Sequence, residues 1–256
     1  MCLLVFAWKT HPEYPLIFAG NRDERHARAT LPAQLWQDAP TVLGGRDLEA
    51  GGTWLGVTLG GRFAVVTNYR EGLAPPKAPR SRGALTADFL TGEMPAAAYL
   101  DGIRRHKDEY GAFSLIVGDR VELHYYSNRG DAGGPIPPGI HGLSNHLLDT
   151  PWSKVTLSKT RLTALMAEAP PTSDALFKLL ADRAPAPEAA LPDTGIGPEL
   201  ERRVSAPFVV NPVYGTRCST AIRLHRDGGL HFAERRFTSE GQSVETRHFQ
   251  TAGGGR

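Results

Sequence analysis

The sequence lacks several features that mark common classes of protein. Only two of its 256 residues are cysteines, Cys2 and Cys218, which excludes a disulfide framework and favours two reduced thiols in a cytoplasmic protein. A bridge between them would need oxidising conditions. The opening apolar run, 2–8, is far shorter than the ~20 residues that cross a bilayer, so we expect no membrane insertion. The net charge of +2 gives no indication of nucleic-acid binding.

Motifs for metals and nucleotides are also missing. The nine histidines show no His-Glu-x-x-His spacing, and no glycine-rich loop ends in Lys-Ser or Lys-Thr. We therefore expect no metal and no organic cofactor. His141 and His146 are interpreted as strand or loop residues.

The second residue, Cys2, is the most informative feature that is present. A small residue at this position normally allows the initiator methionine to be removed, which would leave a thiol and a free α-amine on one residue. An α-amine has a pKa near ~7.7–8.0, so it can accept the proton of the attacking thiol. The alternative is a packed cysteine, because cysteine is among the most buried residue types.

The order of predicted elements is strands, then helices, then strands. Short apolar runs bounded by turn residues predict strands at 2–8, 16–19, 54–58, 62–67, 113–117, 121–126, 140–144, 216–225, 230–237 and 244–249. Helices are predicted from Ser81, over 95–107, over 152–167 and from Ser173. The stretches 21–41, 44–52, 73–80, 130–138 and 183–198 read as irregular segments or loops.

This order predicts an α+β fold. Hairpins dominate over βαβ units, so the sheets should be mainly antiparallel. Amphipathic helices need an apolar sheet face to cover, which two packed sheets with helices outside provide. With no repeat and no linker, residues 1–256 are interpreted as one domain.

Five short blocks resemble the NRDE family, also called the transport and Golgi organization protein 2 family. They follow the initial Met-Cys and span nearly the whole chain. They are Phe18-Ala19-Gly20-Asn21-Arg22-Asp23-Glu24, Gly51-Gly52-Thr53-Trp54-Leu55-Gly56, Thr67-Asn68-Tyr69-Arg70, Gly142-Leu143-Ser144-Asn145 and Tyr214-Gly215-Thr216-Arg217.

The same pattern is similar to N-terminal nucleophile hydrolases of the choloylglycine and penicillin V acylase type. These begin with cysteine after methionine removal and carry Asn-X-Asp after the second strand, which Asn21-Arg22-Asp23 matches. The resemblance implies a four-layer αββα sandwich, in agreement with the layer argument. It also implies a catalytic set made of Cys2, Asp23, Asn68, Asn145 and Arg217.

Each of these residues has a role implied by the resemblance. Cys2 would be the nucleophile and Asp23 would orient its α-amine. Asn68 and Asn145 would donate to the oxygen that becomes negative during acyl transfer. Arg217 would lower the pKa of the thiol. Each asparagine, like Asp23, has a structural alternative as a turn or strand-end residue that bonds local backbone.

Arg22 departs from the choloylglycine pattern, and Cys218 is excluded from the predicted catalytic set. The choloylglycine type has arginine immediately before Asn-X-Asp, where this chain has Gly20, and the arginine occupies the X position as Arg22. Strand alternation predicts that Arg22 points away from the face of Asn21 and Asp23, where it would pair with Glu24 or Asp47 instead of activating Cys2. If Arg217 faces the site, alternation places Cys218 on the opposite face.

Two functions remain open from the sequence. The first is an acyl hydrolase or acyltransferase that forms an S-acyl-Cys2 intermediate on an amide or thioester. The second is a non-catalytic carrier on the same fold that binds lipid, acyl-CoA or haem in an apolar pocket, with Cys2 as a haem ligand or merely packed. The expected partner is accordingly a small acyl substrate or an apolar ligand.

Overall fold

The computed structural model describes residues 2–73, 78–130 and 133–254. The predicted removal of Met1 concerns a residue outside the described ones, as do parts of the predicted loops at 73–80 and 130–138.

The described residues form thirteen strands and five α-helices. The strands are β1 (Cys2–Trp8), β2 (Leu16–Arg25), β3 (Thr30–Leu35), β4 (Val42–Asp47), β5 (Leu55–Thr58), β6 (Phe63–Asn68), β7 (Phe113–Gly118), β8 (Leu123–Ser127), β9 (Gly133–Pro135), β10 (Gly139–Leu143), β11 (Tyr214–Leu224), β12 (Leu230–Phe237) and β13 (Ser243–Thr251). The helices are α1 (Arg82–Thr91), α2 (Ala96–Arg105), α3 (Ser153–Glu168), α4 (Ser173–Leu180) and α5 (Pro198–Arg203).

The strands make two antiparallel sheets. The first has the order β10-β1-β2-β11-β12-β13, so both ends of the chain lie in it, and β1 is hydrogen-bonded on both sides. The second has the order β3-β4-β5-β6-β7-β8-β9 and uses the middle of the chain. The predicted antiparallel pairing is confirmed.

Three apolar clusters define four layers. Phe6, Phe18, Phe63 and their neighbours fill the space between the sheets. Residues of α3 and α4, including Leu162 and Phe177, pack on the outer face of the first sheet, while α1 and α2 cover the second. Each of these four helices thus buries one apolar stripe against a sheet face. The αββα sandwich expected from the sequence is the fold observed.

The main error of the sequence prediction lies in 21–52. The segment 21–41, predicted to be irregular, contains the end of β2 and all of β3, and the glycine-bracketed stretch at 44–52 contains most of β4. Gly44 lies in β4, where a side chain would meet the carbonyl oxygen of Leu55 at 2.7 Å. The close pairing of the strands therefore requires glycine at this position. The predicted loop at 183–198 reaches the start of α5.

None of the helices in the described part of the chain is long and apolar enough to cross a membrane.

Candidate active site

A cleft of about 370 Å³ lies where one end of the first sheet faces the second. Cys2, Arg22 and Cys218 reach it from three neighbouring strands of the first sheet, and Asn68 reaches it from the end of β6. The start of α1 closes another side with Arg82. Ligand sites of small molecules typically have volumes of ~300–1,000 Å³. The volume of the cleft lies in the range expected for a small ligand.

Cys2 is the first residue of β1 and is 8% exposed. Its backbone N–H donates to Asn145 Oδ1 at 3.2 Å, and its carbonyl accepts from Ser144 Oγ at 2.9 Å. Burial raises the pKa of the Cys2 thiol, while a hydrogen bond from the Asp23 backbone and the charge of Arg22 act in the opposite direction. The resting group is therefore a thiol that needs a base before it can attack.

Asp23 lies beneath this position, near the end of β2, and is 3% exposed. Its Oδ1 accepts from Thr216 Oγ1 at 2.7 Å, and the same hydroxyl accepts from the Val209 N–H at 2.9 Å. Burial raises the pKa of Asp23, and the ammonium of Lys154 opposes that rise. The carboxylate is thus fixed on the helix side of the first sheet, close enough to Cys2 to influence its pKa.

Asn145 joins the two sheets through its side chain. It is fully buried, and its φ of 55° is a backbone conformation that asparagine tolerates better than most residues. While Oδ1 holds the Cys2 nitrogen, Nδ2 donates to the Asn68 carbonyl at 2.9 Å. The side chain therefore connects the first residue of β1 to the last residue of β6.

Asn68 follows the buried run of β6, and its exposed side chain lines the cleft. Asn145, the other asparagine of the predicted catalytic set, lies beside it and donates to its backbone carbonyl. Asn68 thus lines the cleft, whereas Asn145 is fully buried and is not among the described lining residues. The role of each as an oxyanion donor stays a prediction.

Arg22 faces away from Asn21, as strand alternation predicted, but the face it takes is the one that carries Cys2 and Cys218. Arg22 is the cross-strand partner of Cys2 in the β1–β2 pair and of Cys218 in the β2–β11 pair. Directly paired residues project from the same face of a sheet, so all three side chains point into the cleft. Arg22 does approach Glu24 at 3.7 Å, as predicted, but it also lies opposite the thiol and lowers its pKa.

The alternation of side chains between the two faces is interrupted at Arg217, because β11 is irregular there. The register of β11 against β2 shifts between Thr216 and Cys218, which places Arg217 in a β-bulge. Arg217 and Cys218 consequently both line the cleft. Arg217 Nη1 donates to the carbonyls of Arg25 and Arg28 at 2.8 and 3.1 Å, which holds the turn between β2 and β3.

Cys218 has a less activating environment than Cys2. Burial raises its pKa well above the usual value, and the neighbouring Glu234 raises it further. Glu234 is itself 4% exposed and accepts from the Ala33 N–H at 2.8 Å. Two strand spacings separate Cys2 from Cys218, about 10 Å between Cα atoms, which is beyond the reach of a disulfide. Both cysteines are free.

Lys154 is a buried charge that the sequence reasoning missed. It lies on α3 and is 3% exposed, and its Nζ donates to the Val204 carbonyl at 2.9 Å. Burial lowers the pKa of Lys154 to about 8, and the charge of Asp23 opposes this. A signal was available, because Lys154, Ser158 and Leu162 recur at every fourth residue of a predicted helix, on one face.

The two histidines considered in the sequence and Trp54 make contacts that a purely structural role explains. His141 contacts Asp149 Oδ2 at 2.7 Å and His146 contacts the Tyr69 hydroxyl at 2.7 Å, and neither lines the cleft among the described residues. Trp54 lines the cleft and also packs against the core between the sheets. None of the described residues in the loop predicted at 130–138 lines the cleft, whereas segments 28–32 and 45–47 do.

Close backbone packing explains why position 52, in the Gly51-Gly52-Thr53-Trp54 block, is glycine. A side chain at this position would meet the backbone of Gly83 at 2.4 Å. The Thr53 N–H donates to the Gly83 carbonyl at 3.2 Å, so the backbone preceding β5 lies directly against the first turn of α1. This close backbone contact shapes the wall of the cleft, which Thr53 and Gly83 line.

Comparisons with known proteins agree with this fold. The C2A mutant of the conjugated bile acid hydrolase from Clostridium perfringens has a TM-score of 0.53 at 7% identity, covering 98% of this chain and 97% of that one. The N-acylethanolamine-hydrolyzing acid amidase ortholog of Caenorhabditis elegans has a TM-score of 0.51 at 11% identity, covering 86% of this chain and 92% of that one. At such identities the likeness is one of fold.

Sequence similarity supplies the family. The "Transport and Golgi organization protein 2 homolog" of Bos taurus is 37% identical over 256 residues, which is 92% of each chain. The family model described as "Transport and Golgi organisation 2" matches residues 1–239. This chain therefore belongs to the transport and Golgi organisation 2 family.

Proposed function

We propose that the chain is an acyl hydrolase or acyltransferase in which Cys2, freed by removal of Met1, attacks an amide or a thioester. The observation that carries the proposal is the position of Cys2: its thiol opens into the cleft while Asn145 holds its nitrogen at 3.2 Å. Both solved proteins compared above are named as hydrolysing enzymes, and one of these structures is that of a C2A mutant.

The α-amine is the base in this proposal. Because burial raises the pKa of the thiol, Cys2 is largely protonated near neutral pH. A free α-amine with a pKa near ~7.7–8.0 can take that proton and return it later. Asn145 Oδ1 orients the nitrogen, and Asp23 provides a buried negative charge beneath it. Asn145 therefore acts as a positioning residue.

Acylation forms one bond and breaks another. The sulfur attacks the substrate carbonyl carbon, the thiol proton passes to the α-amine, and the carbonyl oxygen becomes negative. The exposed amide of Asn68 lies in the cleft and can donate to that oxygen, a contribution typically worth ~3 kcal/mol. Collapse breaks the C–N or C–S bond, and the ammonium returns its proton to the leaving amine or thiol.

Deacylation repeats the sequence with a second nucleophile. Water, or an acceptor amine or thiol, loses a proton to the α-amine and attacks the S-acyl carbonyl. The C–S bond to Cys2 breaks, and the sulfur recovers its proton. Arg22, opposite Cys2, stabilises thiolate character during both steps. In this proposal Arg22 takes the activating role that the sequence resemblance gave to Arg217.

The cytoplasm is the proposed compartment, because a catalytic thiol is preserved under reducing conditions. The alternative, a carrier of lipid, acyl-CoA or haem, shares the fold and would use the cleft without forming a covalent bond. It predicts equilibrium binding with no acyl group left on Cys2.

Mass spectrometry of the native-host protein tests the proposal. We expect an intact mass without Met1, and a short-chain thioester should leave an acyl group on the N-terminal peptide. Cys218→Ser is the matched control and should acylate like the wild type, whereas Cys2→Ala should not.

A retained methionine, or an acyl group found on Cys218 alone, would contradict the proposal. A haem Soret band that shifts on titration and is lost in Cys2→Ala, with no acylation, would favour the carrier.

A further inference from the structure

The walls of the cleft carry more positive than negative charge. Among the described lining residues are seven arginines and four carboxylates. The apolar pocket of the carrier alternative would not bring so many guanidinium groups together. Arg28, Arg46, Arg80 and Arg236 have carboxylate partners, so the excess positive charge resides on the other three arginines. Such an excess concentrates ligands of the opposite sign.

Most of the lining carboxylates already have other partners. Asp47 accepts from Arg28 Nε at 2.7 Å. Glu234 accepts a backbone N–H from β3, and Asp23 accepts from a threonine hydroxyl on β11. Asp47 is therefore paired with an arginine of the cleft itself, while the contacts of Glu234 and Asp23 each satisfy an oxygen that would otherwise be available to a guanidinium.

Glu24 is the remaining carboxylate, and its contacts with arginine are long. Its oxygens lie 3.7 Å from Arg22 Nη2 and 3.8 Å from Arg28 Nε, while Oε1 accepts from the Arg25 backbone N–H at 2.8 Å. Direct hydrogen bonds between nitrogen and a carboxylate oxygen are about 2.7–2.9 Å long. Glu24 therefore balances the charge of Arg22 without forming a hydrogen bond to it.

Arg82 and Arg217 bond to neutral carbonyls. Arg82 Nη1 donates to Ala112 O at 3.1 Å, and Arg217 Nη1 donates to the carbonyls of Arg25 and Arg28. Within the described part of the chain, neither guanidinium has a carboxylate within ion-pair distance. A guanidinium has five N–H donors, so each side chain keeps donors for a ligand.

The arginines of the cleft also lie close enough to repel one another. Burial lowers the pKa of Arg217, and the neighbouring Arg22 and Arg236 lower it further. Burial likewise lowers the pKa of Arg82. An anion bound among these side chains would relieve the repulsion and replace lost hydration.

We propose that the acyl compound processed at Cys2 carries an anionic group, a carboxylate or a phosphate, which Arg22, Arg82 and Arg217 bind. This inference rests on the proposed function and names its substrate class. Arg22 is the cross-strand neighbour of Cys2, with Cβ atoms typically ~4.5–5.5 Å apart. The anionic group therefore lies close to the scissile bond, on the acyl chain or on the leaving group.

Three matched thioesters test the inference. S-hexanoyl-N-acetylcysteamine is neutral, S-adipoyl-N-acetylcysteamine carries a carboxylate on the acyl chain, and S-hexanoyl-3-mercaptopropionate carries one on the leaving group. We expect kcat/KM for one of the charged compounds to exceed that of the neutral one by roughly ten- to a hundredfold. That ratio should fall as the salt concentration rises.

Variants and competitors identify the site. Arg82→Gln should reduce the charged-to-neutral ratio about tenfold, and Arg82→Lys should restore part of it. Arg203→Gln, which removes the same charge from α5 outside the cleft, is the matched control. Stronger inhibition by inorganic phosphate than by acetate would indicate a phosphate as the natural group, and the reverse would indicate a carboxylate.

The outcomes separate this inference from the proposed function. Equal turnover of all three thioesters, with no effect of salt or of Arg82→Gln, would overturn the anion site and leave the nucleophile intact. Calorimetric binding of a charged thioester to Cys2→Ala, weakened by Arg82→Gln, would support the anion site even if wild-type Cys2 were never acylated. Absence of such binding, together with equal turnover, would reject it.

Discussion

Arg22 lies directly opposite Cys2 across the β1–β2 pair, and their side chains enter the same cleft. The guanidinium lowers the pKa of a thiol whose pKa is raised by burial. Cys218, on the other side of Arg22, has Glu234 as a neighbour and a pKa raised well above the usual value. The two cysteines of the chain therefore share one cleft but have different electrostatic surroundings.

Alkylation should distinguish them. With iodoacetamide at pH 8, we expect Cys2 to react at least tenfold faster than Cys218, because only the thiolate is nucleophilic. Peptide mass spectrometry over a time course measures both rates in one sample. Equal rates, or faster labelling of Cys218, would contradict the assigned environments.

Asn145→Ala should destabilise the protein by about 2–4 kcal/mol in the free energy of unfolding. The variant loses two buried hydrogen bonds and places alanine at a φ of 55°. Asn145→Gly is the matched control, since glycine adopts this backbone conformation without strain and should recover about 1 kcal/mol. Urea denaturation measures both, and identical values for the two variants would argue against the backbone contribution.

Thr216→Val should lower kcat/KM roughly tenfold under the proposed mechanism. Valine has a similar shape but removes the hydroxyl that donates to Asp23 Oδ1 and accepts from the Val209 N–H. Thr216→Ser retains the hydroxyl and should remain close to the wild type. If the serine variant lost as much activity as the valine variant, packing of the methyl group would be the cause.

Lys154 should make stability depend on alkaline pH. Its pKa falls from 10.5 to about 8 in the folded protein because it is buried, so between these values the unfolded chain binds more protons. The free energy of unfolding of the wild type, relative to Lys154→Met, should therefore rise between pH 8 and pH 10.5, by about 3 kcal/mol at most. Denaturation of both proteins at several pH values checks this.

A difference that stays constant over this range would mean that Lys154 is not desolvated in solution. Lys178→Met is a suitable control, because it removes a lysine from α4 at an exposed position.

The sequence predicted the layers better than the surroundings of the nucleophile. Continuous apolar runs such as 2–8 and 113–117 mark strands buried on both faces, and the αββα arrangement follows from the helices that must cover them. Thr30–Leu35 was missed because it contains proline and only one of its residues is buried. Val42–Asp47 was missed because its two glycines resemble a turn.

The structure brings the predicted site residues together, while their roles stay predictions and their geometry was not foreseen. Cys2, Asp23, Asn68, Asn145 and Arg217 all lie at or beside the cleft. The placement of Arg22 follows from cross-strand register, and that of Arg217 from a bulge; neither is encoded in local periodicity. Lys154 reaches Asp23 only through the tertiary packing of α3 on the first sheet.

The position of Cys2 in an interior strand limits where a thiol can be useful. Because β1 is paired with β10 and β2 at once, it cannot slide, and neighbouring positions alternate between two different environments. A cysteine moved to position 3 would face helix α3, and one moved to position 4 would be enclosed by aromatic rings. Neither transplant would place the sulfur in the cleft, so an engineer who wishes to relocate the proposed chemistry must move the strand end rather than the residue.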